Sequence, residues 1–212
     1  MNPYFSGIEL DVRLTKDKQV VVIHDALINR TSNKSGFVKD YTVKELKKMD
    51  FGSWFGKQFK KVRIPTLEET LRLVRKKKTL YVELKDTNME EEVYQVLKKK
   101  NYFEKIYLQS FKKDVMKKLH HIDPNLKLGL LDFRLNRNEK TYQELPIDYV
   151  GLNYQLNFKD ELIKYARNHK LLVWTVNKEE DKQYIQTHFG DTDVVTNTMP
   201  EKRRKLWKKK KS

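Results

Sequence analysis

The chain contains no cysteine, which excludes disulfide bonds and thiolate chemistry. That fits a reducing compartment, and a cytoplasmic location is the expectation for the sequence as given. No apolar stretch approaches the roughly 20 residues that a bilayer-crossing helix needs. The first residues show no basic segment followed by an apolar core, so no signal peptide is visible, and any targeting or membrane segment would lie upstream of Met1. Also missing are a known nucleic-acid recognition motif and a basic stretch interleaved with stacking aromatics. No nucleic-acid partner is therefore expected. There is no internal repeat and no linker, and 212 residues suffice for one sizeable core, so a single domain over 1–212 is expected.

What the chain has in excess is positive charge, a formal +16. The segment 201–212 holds eight Lys or Arg against one acid and carries +7 of that total. Much of the rest lies in runs such as Lys76-Lys77-Lys78 and Lys98-Lys99-Lys100, where cations at helix ends suit the helix dipole. The basic tail, which includes Leu206 and Trp207, is a candidate for contact with anionic lipid headgroups.

Short apolar runs alternate with amphipathic stretches. Strands are predicted at 8–12, 20–23, 80–84, 106–109, 126–131, 149–152, 171–175 and 194–196. Helical spacing occupies 67–76, 89–100, 112–121, 159–168 and 179–188. Strand–helix repetition of this kind predicts an α/β fold, and closed into a ring it becomes a TIM (β/α) barrel with its chemistry at the strand C-terminal ends. One segment, about 25–65, breaks the rhythm. It is too long for a structureless loop, and Thr42-Val43-Lys44-Glu45 reads as a capped helix start, so a small inserted subdomain after the second strand is expected.

The chemistry concentrates at the strand ends. Glu9 and Asp11 lie two apart in an apolar run, so both face one side of a strand. A charged pair inside such a run calls for a partner, and a divalent cation is the usual one. Glu83 and Lys85 repeat the spacing, and the run 20–23 delivers His24 at its end. Three carboxylates, a lysine and a histidine at one barrel mouth would make a hard-cation site that grips a phosphate, with oxygen ligands suited to Ca²⁺ or Mg²⁺. Taken singly, Glu9 and Asp11 also read as an exposed edge pair and Glu83 and Lys85 as a surface ion pair. Tyr81, Phe103, Tyr107 and Tyr149 read as core.

Read together, Gly7-Ile8-Glu9-Leu10-Asp11-Val12, Val21-Val22-Ile23-His24-Asp25, Asn29-Arg30-Thr31, Asp50-Phe51-Gly52-Ser53-Trp54-Phe55 and Ile64-Pro65-Thr66-Leu67-Glu68-Glu69 resemble the glycerophosphodiester phosphodiesterases. Gly36-Phe37-Val38-Lys39-Asp40-Tyr41-Thr42 and Glu45-Leu46 continue the likeness. The resemblance implies a TIM barrel with a small insertion. It also implies metal-dependent hydrolysis of glycerophosphodiesters to glycerol 3-phosphate and an alcohol, a reaction of lipid and glycerol metabolism. The glycerol hydroxyl would act first to give a cyclic phosphate that water opens. On the family pattern Glu9, Asp11 and Glu83 match the metal ligands, His24 an acid/base histidine and Lys85 the lysine near the phosphate. Gln109 and Trp174 fall where the family lines its substrate pocket, although Trp174 also reads as a core filler.

The family pattern begins upstream, with a His-Arg-Gly at the end of a first strand and a Pro-Glu-Asn shortly after. Neither is in this sequence. The expectation is therefore a barrel truncated before its second strand, with the first catalytic histidine missing and seven barrel strands when 20–23 is counted with the strand of Glu9. The runner-up expectation is a catalytically impaired relative that binds metal and phosphodiester without turnover.

Overall fold

The computed structural model describes residues 5–136 and 140–198. The basic segment 201–212 lies outside them. The chain divides into two compact units, Met1–Leu128 and Gly129–Ser212.

In the first unit the strands are β1 (Gly7–Leu14), β2 (Val20–Val22), β3 (Thr79–Leu84) and β4 (Ile106–Ser110), in the order β2-β1-β3-β4. β3 runs parallel to both β1 and β4, whereas β2 is antiparallel to β1. The predicted strand at 20–23 is thus the hairpin partner of β1, outside the parallel succession. Side chains alternate between sheet faces with a period of two. One face carries Leu10, Val12, Leu80, Val82, Leu84, Ile106 and Leu108, all buried. Truncating a leucine or isoleucine among these to alanine is expected to cost about 2–5 kcal/mol. The other face carries Glu9, Asp11, Tyr81, Glu83, Tyr107 and Gln109.

Three helices alternate with these strands: α2 (Leu67–Val74), α3 (Glu90–Lys100) and α4 (Lys113–Ile122). Each buries a stripe at helical spacing, Leu71 and Val74, Val93 and Leu97, Val115 and Leu119. α3 opens on Glu90, Glu91 and Glu92 and closes on Lys98, Lys99 and Lys100, charges that suit the two ends of its dipole. α2 ends at Val74, so Lys76–Lys78 lies beyond the helix, past a left-handed Arg75.

The segment between β2 and α2 has its own small core. Val21, Ile23, Ile28, Val38, Leu46 and Ile64 are buried together, with Tyr41, Val43, Met49 and Phe51 packed against them. Its short helix α1 (Val43–Leu46) starts on a capping box, in which Glu45 N donates to Thr42 Oγ1 and Thr42 N donates to Glu45 Oε2. Farther on, the Asp50 carboxylate accepts from Gly52 N, Ser53 N, Ser53 Oγ and Lys61 N at 2.8–2.9 Å. These bonds hold its pKa well below the usual carboxylate range and tie the turn at 50–61 shut. Gly52 is required there, because a Cβ would lie 2.0 Å from the Phe59 carbonyl oxygen.

The second unit repeats the alternation: β5 (Leu128–Asp132), α5 (Lys140–Gln143), β6 (Tyr149–Asn153), α6 (Lys159–Ala166), β7 (Leu171–Trp174), α7 (Glu179–His188) and β8 (Thr192–Val194). β5 to β8 are parallel neighbours in sequence order. β8 was expected at 194–196 and begins earlier, because its pairing with β7 starts at Thr192 opposite Leu171. The α/β class follows from this succession in both units.

Candidate active site

The polar face of the first unit brings most of the predicted residues together. Pairing β1 with β3 sets Asp11 beside Glu83, and pairing β3 with β4 sets Glu83 beside Gln109. Glu9, two residues before Asp11, points the same way. One carboxylate oxygen from each of Glu9, Asp11 and Glu83 lies within 4.8 Å of the others. Lys85 Nζ stands 2.8 Å from Glu83 Oε1 and 3.4 Å from Asp11 Oδ1. Gln109, 2% exposed, donates from Nε2 to Glu9 Oε1 at 3.2 Å. One row back, Tyr81 and Tyr107 stack with ring centroids 5.1 Å apart. They adjoin Glu9, since Glu9 is in register with Tyr81 and Tyr81 with Tyr107. They form a half-buried aromatic layer behind the carboxylates, not ordinary core.

The electrostatics follow from that geometry. Burial, reinforced by Asp11 and Glu83, pushes the Glu9 carboxyl from 4.5 up to about 8. Burial raises Glu83 as well, against the pull of Lys85. Three carboxylates face one ammonium here, and burial, the leading cause of both shifts, disfavours the ionised forms of Glu9 and Glu83. The three carboxylates are placed so that they could hold a metal ion, and an all-oxygen donor set suits a hard one.

Side chains that sequence reasoning passed over fix the strand ends. Ser110 Oγ donates to Leu84 O at 2.9 Å, and Lys112 Nζ to Lys85 O at 3.2 Å, so the segment bearing Lys85 is held from β4. Arg13 Nη1 pairs with Asp86 while its Nε donates to His24 O at 2.9 Å. Ile23 N donates to Asp11 O at 3.0 Å, so the chain reaches His24 one residue after touching the carboxylate strand.

His24 itself is half exposed, and its Nδ1 lies 2.7 Å from Asp25 Oδ1. Arg30 grips the same carboxylate with Nε at 2.6 Å from Oδ2 and Nη2 at 3.1 Å from Oδ1. These bonds, the Arg30 ones foremost, pull the Asp25 pKa down to about 2. The Arg30 guanidinium lies 5.6 Å from the Trp54 ring centroid.

Trp174 belongs to the second unit, at the end of β7, where it meets Phe133 edge to face at 5.6 Å. Gly151 on β6 is its neighbour, and a Cβ there would crowd Leu131 Cδ2 at 2.4 Å while reaching Trp174 Nε1 at an ordinary 3.7 Å.

The model of the glycerophosphoryl diester phosphodiesterase family matches residues 5–200. A glycerophosphodiester phosphodiesterase of Caldanaerobacter subterraneus subsp. tengcongensis is 37% identical over 186 residues, covering 84% of this chain and 76% of that one. One from Bacillus subtilis (strain 168) is 33% identical over 214 residues, covering 90% of this chain and 73% of the relative. Among solved structures, an Oleispira antarctica phosphodiesterase in complex with the product sn-glycerol-3-phosphate shares the fold. It has a TM-score of 0.83 at 23% identity, over 97% of this chain and 86% of that one.

Proposed function

Because the chain belongs to the glycerophosphoryl diester phosphodiesterase family, we propose that it hydrolyses glycerophosphodiesters to glycerol 3-phosphate and an alcohol. The observation that carries this reading to particular side chains is the convergence of Glu9, Asp11 and Glu83 around Lys85 on one sheet face.

In this reading Glu9, Asp11 and Glu83 hold a divalent cation, Ca²⁺ or Mg²⁺. Bound there, such a cation would supply positive charge to stabilise phosphoryl oxygens and an attacking hydroxyl. Lys85, already among the carboxylates, offers its ammonium to a phosphoryl oxygen of the diester. His24 moves a proton at its ring nitrogen as the phosphorus–oxygen bond to the alcohol breaks. Gln109 keeps Glu9 in place, and on the family pattern Gln109 and, separately, Trp174 are assigned substrate-binding roles. The whole of 1–212 acts as one phosphodiesterase domain with an insertion at about 25–65.

The test is release of glycerol 3-phosphate from glycerophosphocholine, glycerophosphoethanolamine and glycerophosphoglycerol, with Ca²⁺, Mg²⁺ or a chelator. Release that needs the cation and falls at least about 10²-fold in Glu83→Gln supports the assignment. Full metal-dependent activity in that variant refutes it. Stabilisation by the diester with no product would mark a binding protein without turnover.

Among the described residues no helix is long and apolar enough to cross a membrane. A cytoplasmic location is our reading, with contact at anionic membrane surfaces through 201–212. Liposome binding that survives deletion of 201–212 would remove the second part.

A further inference from the structure

The neutral imidazole of histidine has two tautomers, and in free histidine the one protonated on Nε2 predominates. A side chain that must exchange a proton through Nε2 therefore gains from a neighbour that holds the hydrogen on Nδ1. His24 has such a neighbour. Its Nδ1 is 2.7 Å from Asp25 Oδ1, and Asp25 is an acceptor only, because Arg30 and His24 keep it ionised far below neutral pH.

The carboxylate is itself restrained. Arg30 reaches it with two nitrogens, a fork that fixes the carboxylate plane as well as its position. The backbone of His24 is pinned separately, by Arg13 Nε on its carbonyl oxygen and by the bond from Ile23 N to Asp11 O. Ring and backbone are thus fixed by different groups. The ring restraint comes from the inserted segment, through Asp25 and Arg30, and the backbone restraint comes from β1.

We propose that Asp25, clamped by Arg30, is a positioning residue that holds His24 in the Nδ1–H tautomer and leaves Nε2 as the ring atom that exchanges protons. This rests on the reading of His24 as the acid/base group, but the tautomer can be measured without turnover. Asp25 touches no reacting atom in this scheme. Its whole effect passes through the orientation and tautomer of its neighbour.

The experiment is nitrogen-15 NMR of the full chain with labelled histidine, at about pH 9, where an ordinary imidazole is neutral. Loss of one set of signals in His24→Gln assigns the ring. The protein supplies its own references. His169 and His188 also direct Nδ1 at a backbone carbonyl, at 3.2 and 2.8 Å. The expected result is an Nδ1–H tautomer for His24 in the wild type, passing to predominantly Nε2–H in Asp25→Ala, with Arg30→Gln between the two.

A companion measurement separates this proposal from the activity it rests on. If the chain turns over a glycerophosphodiester, Asp25→Ala should lower kcat by about tenfold or more and move KM by less than about threefold, with partial recovery in Asp25→Asn. Tautomer change without turnover in any variant supports the positioning role and removes the acid/base reading. An Nε2–H ring in the wild type, or an Nδ1–H ring that persists in a folded Asp25→Ala, overturns the proposal whatever the activity.

Discussion

Lys85 and Glu83 stand two residues apart, with the ammonium 2.8 Å from one carboxylate and 3.4 Å from a second, that of Asp11. The protein has therefore placed one of its own cations among the groups proposed to hold a metal. Replacing it with an isosteric apolar chain should expose how much of the balance it supplies. In Lys85→Met the metal-free protein is expected to lose on the order of 3 kcal/mol of stability, because buried carboxylates are left uncompensated. Urea unfolding in chelator measures this. A variant as stable as wild type would mean that Lys85 neutralises little.

The raised Glu9 carboxyl carries a pH dependence of definite sign. A group that holds its proton more tightly in the folded state costs nothing below its unfolded pKa and destabilises the fold as pH rises. Here the loss begins near 4.5 and is complete by about pH 8, with Glu83 shifted in the same direction. Asp25 acts oppositely and far from this window, its contribution fading only as pH falls towards about 2. Melting curves in chelator should fall from pH 5 to pH 8.5, and Glu9→Gln should flatten them. Divalent cation should restore the wild type at the alkaline end; a flat wild-type profile would contradict the burial of this charge.

Gly52→Ala should loosen the insertion without touching Glu9, Asp11 or Glu83. The new methyl group would meet the Phe59 carbonyl oxygen at 2.0 Å, and the four bonds to Asp50 cannot survive the shift that relieves it. Trypsin should then cut after Lys57, Lys60 or Lys61 several-fold faster, since local opening governs such cleavage. Unchanged cleavage would show that the turn does not depend on this close approach.

Gly151→Ala tests the second unit. Its Cβ would sit 2.4 Å from Leu131 Cδ2 and 3.5 Å from Leu172 Cδ2, both on buried side chains. Overpacking of this kind costs about 1–3 kcal/mol. Denaturant unfolding gives the loss, and a fluorescence change at Trp174 should accompany it. Neither effect would appear if Leu131 can turn aside freely.

The carboxylate cluster was legible because two rules suffice for it: spacing of two along a strand, and parallel neighbours in sequence. Glu9 with Asp11 and Glu83 with Lys85 needed nothing more. Register was not legible, so neither was the bond from Gln109 to Glu9, which joins residues a hundred positions apart. Tyr81 and Tyr107 read as core because an aromatic in an apolar run gives no sign of which sheet face it takes. Asp25 and Arg30 escaped for another reason. Their partnership depends on loop backbone geometry, which carries no periodicity. The four-residue α5 is too short to show a helical repeat.

The segment between β2 and α2 leaves and returns through neighbouring points: Val22 N donates to Pro65 O at 2.9 Å, and Val21 bridges Thr66. With its ends so close and a core of its own, it resembles an exchangeable cassette plugged into a fixed socket. Lengthening such a loop adds little closure entropy. Variation in its length and surface is therefore thermodynamically cheap, so long as the cassette still presents Asp25 and Arg30 at the socket's edge.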